Sequence, residues 1–590
     1  MSVPRSLGLG FMARRVLVVL FILTTVSIRS LAQDAALVGA WDPPFSLPLI
    51  AIHSIVLPTG KVLLFSAEHG VPGIHGWVLD LTNLSLTNVP PPPPWNPDCA
   101  GHSFLPDGRL VVAGGTLSFT PLTGTQLSYL FDPYAEQWTA LPEMAGGRWY
   151  PTCVTLDDGK VVTFSGLSDV PGTPNPDIEF WNPGAPYNWQ LLGQRTLPYY
   201  PLLHLMPSGR VFMAGPSPLT ETYDSAANSW TPIATTNFPG RYEACSVLLP
   251  PTFNRVMLVG GYNGSGQPTS SAEIIDLADP APRWQLTAHM SFARMEHNAV
   301  LLPDGKVLVI GGRSDNDSTP TPVLTPEIFD PAGRTWTSVA PHSVARRYHS
   351  TAVLLPDARV LAAGGDYQPS GEIYSPPYLF RGPRPEITSA PTTITFGSTF
   401  SVQFTGTTMT HSAVLMALPC VTHSNNMCQR YVPLGTIPSP SGAAVIQAPA
   451  DGKVAPPGFY MLFIVDSNGV PSVSRMVRLA GCPLLRLALS GSDDATLLSW
   501  EKPGALSYCV VRGDLGDLRA TGGDFRQSLR QELASRETGN SVLFSGTPAI
   551  GEGYWFLVKD NPDGSFDSGC ASQVGSRDDE ILSAGDICVN

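Results

Sequence analysis

The stretch His297-Asn298-Ala299-Val300-Leu301-Leu302-Pro303-Asp304-Gly305-Lys306-Val307-Leu308-Val309-Ile310-Gly311-Gly312 reads as an apolar strand, a tight turn, a second apolar strand and a closing glycine pair. Asp-Gly between two hydrophobic runs signals a hairpin, because glycine accepts the positive φ that a tight turn needs. The same unit recurs at Leu105-Pro106-Asp107-Gly108-Arg109. Related turns stand at Thr59-Gly60, Asp158-Gly159, Ser208-Gly209 and Asp357-Ala358, with a looser one near Phe253-Asn254. Second strands end at Gly114-Gly115, Ser165-Gly166, Ala214-Gly215, Gly260-Gly261, Gly311-Gly312 and Gly364-Gly365. A later strand carries Phe131, Tyr223 or Phe329, with Trp138, Trp230 or Trp336 following at a constant interval.

A period of roughly 50 residues with these marks is the kelch pattern, in which each repeat forms one four-stranded propeller blade. Counting copies from His53 to His349 gives seven blades, over residues 40–383. After Pro383 the period stops. Short β-type runs at Phe400 to Phe404, His411 to Ala417 and Phe459 to Val465 suit an immunoglobulin-like sandwich over 384–480. Residues 481–590 read as a small fibronectin type III-like module. Its strands fall at Leu498-Ser499-Trp500, Tyr508 to Val511 and Tyr554 to Val558, with a short helix near Phe525 to Ala534. The whole chain is expected to be all-β.

Composition agrees. The chain has 590 residues, too many for one core, with 56 glycines, 59 prolines and only 14% charged residues. Arg5, Arg14 and Arg15, the apolar run Val16 to Val26 and the small-residue site Ser30-Leu31-Ala32 read as a secretory signal over 1–32, cleaved after Ala32. Its loss removes four arginines and no acid, moving the formal charge from −13 to about −17. So acidic a chain argues against nucleic acid and anionic membranes as partners. No second run of spanning length follows, so the mature chain is expected to be exported and without a membrane span. Of the nine cysteines, Cys420 and Cys428 can pair across a short hairpin, and Cys482, Cys509, Cys570 and Cys588 can staple the C-terminal module.

The candidate chemistry lies in Cys99, Tyr150, Tyr348, His349 and His423. His53, His102, His297 and His349 are read as one repeat register, in which the first three are architecture. Only His349 has a tyrosine before it. In a regular strand Tyr348 and His349 point to opposite faces, so both reach one point only from a loop or bulge. Cys99 precedes the inner strand of the second blade and Tyr150 that of the third, close enough for side-chain contact. Two imidazoles with tyrosine oxygens suit Cu(II), whereas a closed zinc tetrahedron finds no further ligand. A hydrolase reading finds no carboxylate pair at matched repeat positions.

Together these motifs resemble the radical copper oxidases, the galactose oxidase and glyoxal oxidase family, over about residues 40–480. The resemblance rests on Cys99-Ala100-Gly101-His102-Ser103, Arg148-Trp149-Tyr150-Pro151, Arg347-Tyr348-His349-Ser350 and Thr422-His423 through Gln429-Arg430. It implies a galactose-oxidase-type early-set sandwich that sends a loop up the propeller channel. It further implies one copper ion held by Tyr150, Tyr348, His349 and His423, with Tyr348 axial and acting as general base. Tyr150, joined to Cys99 by a thioether, would be the radical cofactor. The implied reaction oxidises a primary alcohol or small aldehyde with O2 and yields H2O2.

Two departures stand out. The family's tryptophan over the crosslinked tyrosine comes from the loop after the next glycine pair, which here reads Gly166-Leu167-Ser168-Asp169. That leaves Tyr150 without an expected stacking ring. No galactose-binding module precedes the propeller. Both lean away from galactose and toward small aldehydes or simple alcohols. The competing reading is a non-catalytic kelch protein that binds carbohydrate or a surface partner. The C-terminal module is a candidate contact for a cell-surface polymer.

Overall fold

The computed structural model describes residues 35–67, 73–181, 188–406, 408, 410–437 and 442–480. Beyond them it describes 487–492, 495–500, 507–521, 529–537, 541–544 and 554–561. The expected signal at 1–32 lies outside these residues, as do Cys482, Cys570 and Cys588. The chain divides into two units, Met1–Leu479 and Ala480–Asn590.

Turn chemistry builds the first unit. In the stretch quoted above, Met295–Leu301 pairs antiparallel with Val307–Arg313, from His297 opposite Gly311 to Leu301 opposite Val307. Gly305 makes the turn at φ 82°. At Asp357-Ala358 the same left-handed conformation falls to Ala358, φ 67°, at a cost of about 1–2 kcal/mol relative to glycine. Glu327–Asp330 and Thr335–Ser338 complete this sheet. The constant Phe–Trp interval has a packing cause. Phe329 and Trp336 rings lie 4.9 Å apart, and Trp336 Nε1 donates to the Ala288 carbonyl of the preceding repeat at 2.8 Å.

Seven such antiparallel sheets follow one another between Ala40 and Ser375. From the second sheet onward their first strands adjoin in chain order, and the last, Ser350–Leu354, lies beside the first, His53–Val56. Ala40–Trp41 and Phe45–Ser46 pair with Ser370–Ser375, so the start of the unit completes its seventh sheet. Four sheets carry a buried ion pair: Arg148–Glu179 at 2.6 Å, Arg241–Glu273 at 2.9 Å, Arg294–Glu327 at 2.7 Å and Arg346–Glu372 at 3.1 Å. Such pairs endure desolvation because further bonds satisfy them, as when Arg294 donates to the carbonyls of Gly311 and Thr325. The pairs hold an arginine just before the inner strand in each of these sheets.

Residues 386–480 form two further sheets around a shared core. The strand Thr399–Thr405 alternates exposed and buried residues with period two, and the strands expected at 400–404, 411–417 and 459–465 are all present. One segment leaves this sandwich. Cys420–Thr422 pairs with His53–Val56 and so adds to the first sheet of the ring, followed by Asn425–Asn426. The expected disulfide Cys420–Cys428 closes that excursion.

The second unit contains two three-stranded sheets among its described residues. The expected strands appear as Ala495–Trp500, Ser507–Asp514 and Tyr554–Asn561. The helix expected at Phe525 to Ala534 does not form where it is described. Leu529–Glu537 is a strand paired with Ser507–Asp514, and the short helix is Leu515–Ala520. Residues 529–537 are rich in helix formers, and sheet pairing overrides that propensity.

Candidate metal centre

Six inner strands have a residue in the left-handed conformation at or just before their start: Cys99, Tyr150, Tyr200, Glu243, Glu296 and His349, with φ from 43° to 64°. Backbone bonds link them around the ring. Tyr150 N donates to Cys99 O at 3.0 Å, Tyr200 N to Tyr150 O at 2.8 Å, and Glu296 N to Glu243 O at 3.0 Å. Non-glycine residues held this way cost about 1–3 kcal/mol each and gather at functional sites. The finding corrects the assumed register. His297 pairs with Gly311, whereas Ser350 pairs with Gly364, so His349 corresponds to Glu296 and not to His297. His53 and His102 lie deeper, Nδ1 to Nε2 at 3.2 Å and both buried. Burial pushes His102 and His297 down to about 3, so both are neutral at physiological pH.

One added residue brings Tyr348 to the site. The carbonyls of Arg148, Arg294 and Arg346 each accept from the second glycine of the preceding pair: Gly115, Gly261 and Gly312, at 2.7–2.9 Å. From that common anchor the left-handed residue comes two positions later at Tyr150 and Glu296, but three later at His349. The surplus is absorbed in a turn in which Ser350 N donates to Arg347 O at 2.9 Å. Tyr348 and His349 consequently lie ring beside ring, 3.9 Å between centroids.

The expected residues converge. The hydroxyls of Tyr150 and Tyr348 are in direct contact. The His423 ring lies 4.8 Å from the Tyr150 ring and 4.8 Å from that of His349, the two imidazoles at 88°. His423 arrives on the excursion from the sandwich. Its Nδ1 is 2.7 Å from Thr422 Oγ1, which leaves Nε2 facing inward, 3.6 Å from Cys99 Sγ. His349 Nδ1 lies 3.8 Å from Asp366 Oδ1. The Cys99 thiol is in polar contact with Tyr150.

Tyr150 does have a stacking tryptophan. Trp149 lies on its ring at 3.6 Å and 12°, and Tyr200 at 4.4 Å and 24°. The expectation of a bare ring fails because the tryptophan comes from the residue just before Tyr150. The loop searched for it serves instead as its backbone support, with Trp149 and Leu167 exchanging both N–H···O bonds at 2.7–2.9 Å. Trp149 was visible in the motif, but neighbouring residues rarely stack, and the left-handed Tyr150 is what allows it.

Burial first, then the Cys99 thiol, push the Tyr150 and Tyr348 phenols above their usual range. Two protonated phenols crowding one point form an arrangement that a cation would relieve, since it favours phenolate and displaces a proton. Among the described residues no cluster of three or more His, Cys, Asp or Glu could hold a metal. A metal here must therefore use the tyrosine oxygens, and a set of two nitrogens and two oxygens suits Cu(II). The donors fit copper.

A cavity of about 260 Å³ opens on this point, lined by Tyr150, Tyr348 and His423 together with Tyr200, Glu243 and Glu296. That volume, just below the ~300–1,000 Å³ of drug-sized pockets, suits a small molecule. Glu243 and Glu296 are carboxylates at matched positions, which the histidine-based register had hidden. They are within hydrogen-bonding range of each other, too close for the separation of about 5 Å or more that glycoside hydrolysis uses.

Comparison with known proteins gives the same picture. Residues 94–375 match the glyoxal oxidase N-terminus model, and residues 384–479 the galactose oxidase-like early set domain. The chain is 29% identical to a galactose oxidase of Gibberella zeae over 75% of its own length and 70% of that protein. It is 30% identical to the aldehyde oxidase GLOX of Vitis pseudoreticulata over 65% of its own length and 81% of that protein. A solved structure described as a fungal alcohol oxidase of the AA5 family, in complex with copper, aligns with TM-score 0.68 and 28% identity. That alignment covers 75% of this chain and 100% of that one.

Proposed function

The chain belongs to the galactose oxidase and glyoxal oxidase family, and on that premise we propose that Tyr150, Tyr348, His349 and His423 hold one copper ion beside a Cys99–Tyr150 thioether. The protein is a copper-radical oxidase that converts an alcohol or aldehyde with O2 to the aldehyde or acid and H2O2. The observation that carries the residue assignment is the meeting of two phenol oxygens with the His423 imidazole on one cavity, the His349 ring lying 4.8 Å from that of His423. We read the seven sheets as blades of a kelch propeller, the early-set domain as the carrier of His423, and residues 481–590 as a fibronectin type III-like module. No polymer-binding role is assigned to that module. Residues 1–32 are read as an export signal, in keeping with the Cys420–Cys428 disulfide. Among the described residues no helix is long and apolar enough to cross a membrane.

Bound copper supplies a Lewis acid for the substrate oxygen and an acceptor for one electron. Tyr348, as phenolate, accepts the substrate hydroxyl proton. Tyr150, previously oxidised by one electron, takes a hydrogen atom from the adjacent carbon. The thioether to Cys99 and the Trp149 stack spread the unpaired electron and keep water from the ring. The two electrons removed from the substrate leave with O2 and two protons as H2O2. The non-catalytic carbohydrate-binding alternative is not favoured, since it gives no reason for the tyrosine pair and the relatives carry oxidase names.

The test is peroxide release by the copper-loaded chain over glyoxal, methylglyoxal, glycolaldehyde, benzyl alcohol and galactose. Peroxide from at least one, dependent on copper, is expected. No peroxide from any of them overturns the reading.

A further inference from the structure

At three of the left-handed positions a side chain meets that of the residue just before it. In an extended strand such neighbours point apart, and the positive φ is what brings them together. Trp149 stacks on Tyr150 at 3.6 Å, and Tyr348 lies beside His349 at 3.9 Å. The third pair is Asp98 and Cys99, where φ of Cys99 is 63° and its Sγ donates to Asp98 Oδ2 at 3.5 Å. Trp149 and Tyr348 have parts in the steps above, as stack and as proton acceptor. Asp98 has none.

Asp98 has no exposed surface, and Cys99 is 3% exposed. A carboxyl withdrawn from water is costly to keep unless something compensates. The main chain of Asp98 is held by its neighbours: its N–H donates to Asn96 Oδ1 at 2.9 Å, and its carbonyl accepts from Thr116 Oγ1 at 3.2 Å. The carboxyl itself reaches the thiol that also touches Tyr150.

A thioether between Cys99 and Tyr150 needs a proton acceptor at that thiol. Its formation breaks Cys99 Sγ–H and one Tyr150 ring C–H bond and makes one Sγ–C bond. Two protons and two electrons are released, and they reduce one O2 to H2O2, with the same oxidant that the oxidase reaction uses. His423 Nε2 also lies 3.6 Å from Sγ, but in the proposed site it is committed to copper.

We propose that Asp98 is the catalytic base of cofactor formation: its Oδ2 takes the thiol proton as the Sγ–C bond forms. The proton is then given up to the reduced oxygen, which restores the carboxylate. The inference rests on the thioether reading of Cys99 and Tyr150, and it adds a self-processing step to that site.

The full-length chain is prepared free of copper and then given saturating copper in air. Samples are quenched at intervals, and the crosslinked fraction is read from peptide masses. Asp98→Asn keeps the shape and removes the base, so crosslinking should slow by about a hundredfold with copper still bound. Asp98→Glu, which returns a carboxylate, should recover part of the rate. A wild-type rate in Asp98→Asn overturns the proposal and leaves the thioether reading intact. So does an Asp98→Glu variant as slow as Asp98→Asn. Loss of copper binding in Asp98→Asn overturns it too, because Asp98 would then act through the metal site. If Asp98→Asn does not fold, Asp98→Ser takes its place with the same outcomes. A wild type that never crosslinks overturns the thioether reading and this inference with it.

Discussion

In the sixth sheet Arg294-Met295-Glu296 leads into the inner strand; in the seventh Arg346-Arg347-Tyr348-His349 does. Both arginines are buried, paired with a glutamate and anchored through their carbonyls to the preceding sheet. The seventh has one residue more before its left-handed position. In the sixth sheet that position presents a single carboxylate, braced by Arg313. In the seventh it presents a phenol and an imidazole side by side. A repeat built for packing thus acquires, through a one-residue insertion, the Tyr348–His349 pair that is proposed to hold copper.

The comparison can be broken most sharply at its added ring. Tyr348→Phe keeps the ring and its packing but removes the oxygen, so kcat should fall by about 10²- to 10⁴-fold with copper still bound. Full turnover in this variant contradicts the role of Tyr348. Deleting Arg347 restores the spacing of the sixth sheet and misplaces Tyr348 against His349. Copper affinity, measured by titration, should weaken by about a hundredfold or more. Unchanged affinity would mean that the insertion is incidental.

A smaller effect is expected where the site is braced from outside the repeat. Thr422 Oγ1 sets the His423 ring through Nδ1 at 2.7 Å. Thr422→Val should cost about ten- to a hundredfold in copper affinity, with thermal stability near that of the wild type. The smallest effect concerns the carboxylate side of the comparison. The folded chain holds a proton on Glu243 up to about pH 7, whereas the unfolded chain releases it near the usual 4.5. Native protein therefore binds more protons in that window, and stability contributed there falls as pH rises through it. Glu243→Gln should flatten this slope of Tm against pH; a slope like that of the wild type contradicts the assignment.

Much of this was legible in the sequence, and the failures have causes. Asp304-Gly305 and the glycine pairs predict the sheets because they encode backbone conformation directly. Cys99, Tyr150, Tyr348, His349 and His423 were singled out by motif, and the fold brings them together. The register was misread because histidine was taken as its marker, whereas left-handed backbone conformation is what repeats. Glutamate and tyrosine occupy such positions here alongside histidine, so Glu243 and Glu296 carried no signal by residue type. The spacing of each to its buried arginine was the signal that could have found them. Trp149 was missed because stacking was sought from a neighbouring loop, and only the positive φ of Tyr150 turns adjacent rings face to face. The helix expected at Phe525 to Ala534 failed for the common reason that strand pairing is nonlocal.

The central claim is that Cys99 and Tyr150 form one redox cofactor with copper. Peptide mass analysis of the chain after exposure to copper and air tests it most directly. The account predicts that the Cys99 and Tyr150 peptides migrate as a single species, lighter than their sum by two hydrogens. Two separate, unmodified peptides from copper-bound protein would contradict it.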